Sequence, residues 1–85
     1  MLLKKYTERL IRLLDFIGLR QGTTSERCKV FVNKATNDNK WMVNNIVRFL
    51  QTQKQRVESR EITGATLNNY VKTLKLFCEV TDIPF

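Results

Sequence analysis

From Tyr6 to Cys78 the apolar residues of this chain recur at spacings of three and four, and no stretch alternates at a spacing of two. Recurrence at three and four lines one face of an α-helix, whereas a half-buried strand needs alternation. The single β-like run, Val30-Phe31-Val32, lies inside a helical period. The only proline is Pro84, so no ring interrupts the body of the chain, and every helix before it must be ended by other chemistry.

The spacing predicts four helices. The first covers about residues 2–18, with Tyr6, Leu10, Leu13, Leu14 and Ile17 on one face. Gly18 and Gly22 bracket the break that follows, and either suits the left-handed residue that closes a helix. Thr23 and Glu26 form a Thr-x-x-Glu capping box, which opens a second helix over about 24–36. Its apolar residues are Cys28, Phe31, Val32 and Ala35, with Val30 beside them. Asn37-Asp38-Asn39 is a turn cluster that also offers N-caps. A third helix, about 40–57, turns Trp41, Val43, Ile46, Val47 and Leu50 inward, with Met42 and Phe49 widening the stripe. It is expected to be the central, most buried element, and its second half becomes polar and basic through Lys54 and Arg56. The fourth opens at Thr63, with Ile62 and Leu67 as a hydrophobic staple, and presents Leu67, Tyr70, Val71, Leu74, Phe77 and Cys78 inward. It ends at Asp82-Ile83-Pro84, because a proline disfavours helical angles in the residue before it. The expected core joins Trp41, Ile46, Leu50, Leu67, Tyr70, Leu74 and Phe77.

Eighty-five residues, 42% of them apolar, are enough for one domain with one modest core. No run of about 18 apolar residues exists to span a membrane. The start, Met1-Leu2-Leu3-Lys4-Lys5-Tyr6, lacks the apolar core and small-residue cleavage site of a signal peptide, so the expected compartment is the cytoplasm. Cys28 and Cys78, with no histidine anywhere, cannot supply the four Cys/His-type ligands of a structural zinc site. Both read as buried, free thiols. No metal, cofactor or small-molecule ligand is expected. Without histidine, with glycines scattered at 18, 22 and 64, and with isolated carboxylates, no catalytic residue is expected either.

The charge carries more. Fifteen Lys and Arg against eight Asp and Glu leave +7, a field that concentrates polyanions. On the fourth helix Asn68, Lys72, Lys75 and Glu79 form a stripe opposite the apolar one, bordered by Asn69 and Thr73. Arg60 and Thr63 stand at its N-terminal end, and Arg56 lies just upstream. Asn suits adenine and Lys suits guanine or phosphate in a major groove. The first helix adds Lys5, Arg9 and Arg12, a basic face that Glu8 and Asp15 interrupt too often for a membrane-surface helix. The aromatic residues mostly occupy core periods, which disfavours a stacking platform for single strands. Two other readings stand beside duplex DNA binding: a helical interaction domain with an acidic protein partner, and a small helix-turn-helix regulator. The last needs a short turn followed by an exposed helix, and the helix after Gly22 is largely apolar.

Tyr6-x3-Leu10-x2-Leu13-Leu14-Asp15 matches Tyr70-x3-Leu74-x2-Phe77-Cys78-Glu79 at an offset of 64 residues. The segment from Glu61 to Phe77, with its Thr63 cap, Thr66-Leu67 pair, Tyr70, Lys72, Leu74 and Phe77 in this order, resembles the N-terminal core-binding domain of tyrosine recombinases, the phage-type integrases. Its flavour is closest to archaeal integrase-like proteins. The Tyr6–Ile17 helix is similar to an earlier helix of that domain, which would account for the internal match; the Ser/Thr cap expected before Tyr6 is missing. The resemblance implies a small orthogonal bundle of four helices, SAM-like, that clamps one side of duplex DNA. It implies further that the chain is part of a longer protein whose separate catalytic domain cleaves the strand, and that other recombinase protomers on the same DNA are partners. Tyr6 and Tyr70 are then signature positions and not nucleophiles.

Overall fold

The structure is a computed structural model that describes residues 2–84, with side chains from Lys4 to Pro84. Four helices follow one another: α1 (Leu2–Phe16), α2 (Thr24–Asn37), α3 (Asn39–Glu58) and α4 (Gly64–Val80). The fold is all-α, with no strand among the described residues.

Local chemistry sets the helix ends. At the start of α2 the Thr23 hydroxyl accepts from the Glu26 amide at 3.2 Å, and the Glu26 carboxylate accepts from the Thr23 amide at 3.4 Å. The Thr63 hydroxyl likewise accepts from the Thr66 amide at 3.2 Å and caps α4. Asp38 serves two helices: its amide donates to Lys34 O at 2.8 Å, closing α2, and its carboxylate accepts from the Trp41 amide at 3.1 Å, opening α3.

Three helices close by the same device. Gly18, Arg60 and Asp82 adopt left-handed backbone, with φ of 86°, 65° and 57°. The residue after each sends its amide back to the helix: Leu19 to Leu14 O at 2.9 Å, Glu61 to Arg56 O at 2.9 Å, and Ile83 to Cys78 O at 2.8 Å. These are Schellman closures, which satisfy carbonyls the helix would leave open. Glycine adopts this conformation at no steric cost, whereas Arg60 and Asp82 each strain against their own Cβ. The turn at Asp82 therefore stops α4 two residues before Pro84 can act.

The core gathers Leu10, Leu13 and Leu14 of α1, Phe31 and Ala35 of α2, Met42, Ile46 and Phe49 of α3, and Tyr70, Leu74, Phe77 and Cys78 of α4, closed by Ile83. Both α1 and α3 pack against every other helix, so α3 shares the central place instead of holding it alone. No Cα of α2 comes within 8 Å of one in α4; the Phe31 and Phe77 rings span that gap, with centroids 5.7 Å apart.

The inward face of α3 differs from the sequence expectation. Met42, Ile46, Phe49 and Gln53 are buried, Trp41, Val43 and Leu50 are half-buried, and Val47 is 41% exposed. The helix is rotated by about a quarter turn from the expected stripe. The reason is aromatic packing: Phe49 packs edge-to-face with Phe16 and Tyr70, ring centroids 5.5 and 5.4 Å away, which draws its side of the helix inward. Trp41 instead lies against Phe31 at 5.8 Å, beneath the Lys34 ammonium at 5.6 Å. Leu67, expected in the core, is half-buried.

In α2 the buried set is Arg27, Phe31 and Ala35, while Cys28 is only half-buried and Val30 is exposed. The Arg27 guanidinium donates to Leu19 O and to the Asp15 carboxylate, both at 2.5 Å. It thereby ties the α1–α2 connection to α2, and the carboxylate compensates the charge it brings inside. The expectation that both thiols are buried holds for Cys78 alone. Their Cα atoms, on α2 and α4, are more than 8 Å apart, beyond the span of a disulfide, so both are free.

Candidate nucleic-acid interface

Lys5, Arg9 and Arg12 recur at four and three, so α1 presents them on one face. That face borders α4 and the last turn of α3. Together they form an open groove of about 330 Å³, to which α3 adds Arg56 and α4 adds Thr66 and Asn69. Ile62 and Tyr70 give it an apolar lining, and Glu8 is the one acid along it. Five of the residues singled out from the sequence, Lys5, Arg9, Arg12, Arg56 and Asn69, thus meet from three helices.

Two of the four cations are held in place. Arg9 is half-buried, and its Nη1 donates to Thr73 Oγ1 at 3.4 Å. The Arg56 Nη1 donates to Gln53 Oε1 at 2.8 Å, and its Nε lies 3.1 Å from Glu61 Oε2. Gln53 is itself buried, so it anchors the guanidinium to the body of α3. An arginine fork fixed in this way loses less side-chain entropy when it takes an anion. Glu61 works against that capture, because its carboxylate occupies the edge a phosphate would want.

The other singled-out residues lie elsewhere. Asn68, Lys72 and Lys75 are exposed on α4 together with Glu79. Lys72 borders a second hollow, shared with Arg9 and Asn69. Lys75 lines a third, with Glu79 and Asp82, and those carboxylates offset its charge. Thr73, expected at the edge of the exposed stripe, is instead 4% exposed and turned toward α1. The exposed Arg60 occupies the left-handed closure of α3, and the Thr63 hydroxyl is committed to capping α4. Gln53 and Glu61 escaped the sequence reading. Their spacings of three and five from Arg56 were the available signal; the Gln53 contact lies within α3, whereas the Glu61 contact depends on how α3 ends.

Burial raises the pKa values of the Cys28 and Cys78 thiols, with Arg27 opposing it at Cys28. Burial also raises the Tyr6 phenol, and the two thiols add to that shift. All three groups therefore hold their protons at neutral pH. Among the described residues no cluster of His, Cys, Asp or Glu is arranged to hold a metal, and no helix is long and apolar enough to cross a membrane. No family model matches the chain, and no curated protein or solved structure matches it either.

Proposed function

We propose that this chain binds duplex DNA as the core-binding arm of a tyrosine recombinase or phage-type integrase, with the α1–α4 groove seated on backbone phosphates. The observation that supports this most is the convergence of Lys5, Arg9, Arg12 and Arg56 from two helices onto one groove, in a chain of net charge +7. Phosphate contacts of this kind set register and supply most of the affinity without reading sequence. Asn69 in the groove, with Asn68 and Lys72 on the exposed side of α4, provides the side chains for base edges. The SAM-like character and the recombinase assignment rest on the Glu61–Phe77 pattern. Strand cleavage belongs, in this reading, to a separate catalytic domain. Tyr70 is 5% exposed and packed against Phe49, and so serves the core.

The test is fluorescence anisotropy of labelled duplex across a salt series, with an unrelated protein of equal charge as control. Four phosphate contacts give a log–log salt slope of about −3 to −4 and dissociation constants of about micromolar or weaker. Binding no tighter than the control, with Arg12→Ala indistinguishable from the parent chain, would remove this reading.

A further inference from the structure

We infer that a second surface, the hollow between Tyr6 of α1 and the C-terminal half of α4, docks an acidic amphipathic helix from a partner protein. Leu76 and Val80 are 48% and 74% exposed, although each is a large apolar side chain. They stand four residues apart on α4, one above the other, and with Thr73 and Tyr6 they line a hollow of about 550 Å³. The rim is cationic, formed by Arg9 and Lys72, and no acidic residue lines the hollow. An apolar trough between two helices accepts the apolar face of a third, anchored at every third or fourth residue. The cationic rim selects a helix whose flanks carry Asp and Glu, and it raises the rate of encounter. DNA gains nothing from Leu76 and Val80. A second copy would face its own charge of +7 and set Arg9 and Lys72 against the same rim in a self-complementary contact. Charge complementarity thus favours an acidic partner. Arg9 and Asn69 border both this hollow and the phosphate groove, whereas Leu76 and Val80 belong to this hollow alone.

The test titrates the isotope-labelled chain with a stapled helical peptide of about 16 residues, Leu at every third or fourth position and Glu elsewhere, and follows the amide resonances. Saturable shifts are expected at Tyr6, Thr73, Leu76 and Val80. Leu76→Ser with Val80→Ser, both at exposed positions, should weaken the peptide at least about tenfold and leave duplex binding unchanged. A peptide with Lys in place of Glu should lose about as much. Three results would each overturn the inference. The first is an equal response to a peptide whose Leu residues are replaced by Ser. The second is shifts confined to Lys5, Arg12 and Arg56. The third is self-association in sedimentation that the Leu76→Ser, Val80→Ser variant abolishes. Duplex binding is measured separately, so failure here is distinguishable from failure of the DNA reading.

Discussion

Arg9 Nη1 meets Thr73 Oγ1 at 3.4 Å, and these residues hold equivalent places in the two helices whose sequences match at an offset of 64. The contact bridges α1 and α4, and it holds Arg9 at the boundary between the phosphate groove and the apolar hollow.

Removing groove charges should act on salt dependence. Lys5→Ala and Arg12→Ala should each reduce the magnitude of the salt slope for duplex binding by about 1. Glu61→Gln should act in the opposite direction and tighten binding about threefold, a change of under about 1 kcal/mol, because it releases Arg56 and deletes a negative charge. Anisotropy at several salt concentrations reads all three. Weaker binding by Glu61→Gln would show that the Arg56–Glu61 pair positions the guanidinium and does not restrain it.

Denaturant unfolding should separate the observed face of α3 from the one its sequence suggests. Phe49→Ala and Leu74→Ala should cost about 3–5 and 2–5 kcal/mol respectively, since both side chains are at most 2% exposed. Val47→Ala, at 41% exposure, should cost less than about 1 kcal/mol. Equal losses at 47 and 49 would return α3 to the orientation its valines imply.

The left-handed closures predict changes of opposite sign. Arg60→Gly and Asp82→Gly should each stabilise the domain by up to about 1 kcal/mol, because glycine removes a Cβ penalty of about 1–2 kcal/mol and returns some chain entropy to the unfolded state. Gly18→Ala, at φ 86°, should destabilise by about 1 kcal/mol or more. If Arg60 also touches DNA, Arg60→Gly will raise the melting temperature while weakening duplex binding.

Stability should fall on the alkaline side. Cys28, Cys78 and Tyr6 have folded pKa values raised above the ordinary 9.0 and 10.0. Above those ordinary values the unfolded chain releases protons that the folded chain retains, so stability is intact below about pH 9 and declines as pH rises through the folded values. Unfolding free energies measured at intervals from neutral to strongly alkaline pH should show this decline. Cys28→Ala with Cys78→Ala should make it shallower, whatever the double variant costs at neutral pH. An unchanged slope would place the alkaline sensitivity on other groups.

Helix number and type, the caps at three helix starts and the Gly18 closure were legible in the residues themselves, whereas the left-handed closures at Arg60 and Asp82 carried no glycine to announce them. The Thr23–Glu26 box, the Asp38 turn, the Thr63 cap and the Gly18 closure act within three to five residues of chain, and each helix lies within two residues of its expected bounds. What escaped depends on neighbours far along the chain. Val47 and Phe49 are both apolar, and which of them faces inward was decided by the rings of Phe16 and Tyr70. Arg27 is charged, and only the Leu19 carbonyl and the Asp15 carboxylate make its burial tolerable. Thr73 reads as surface until Arg9 supplies a partner. The chain by itself determined four capped amphipathic helices and an excess of positive charge, because capping and periodicity are local. Tertiary packing alone decided which stripe of α3 is core and brought Arg56 and Asn69 beside Lys5, Arg9 and Arg12, because side chains up to 64 residues apart share a surface only after their helices have packed.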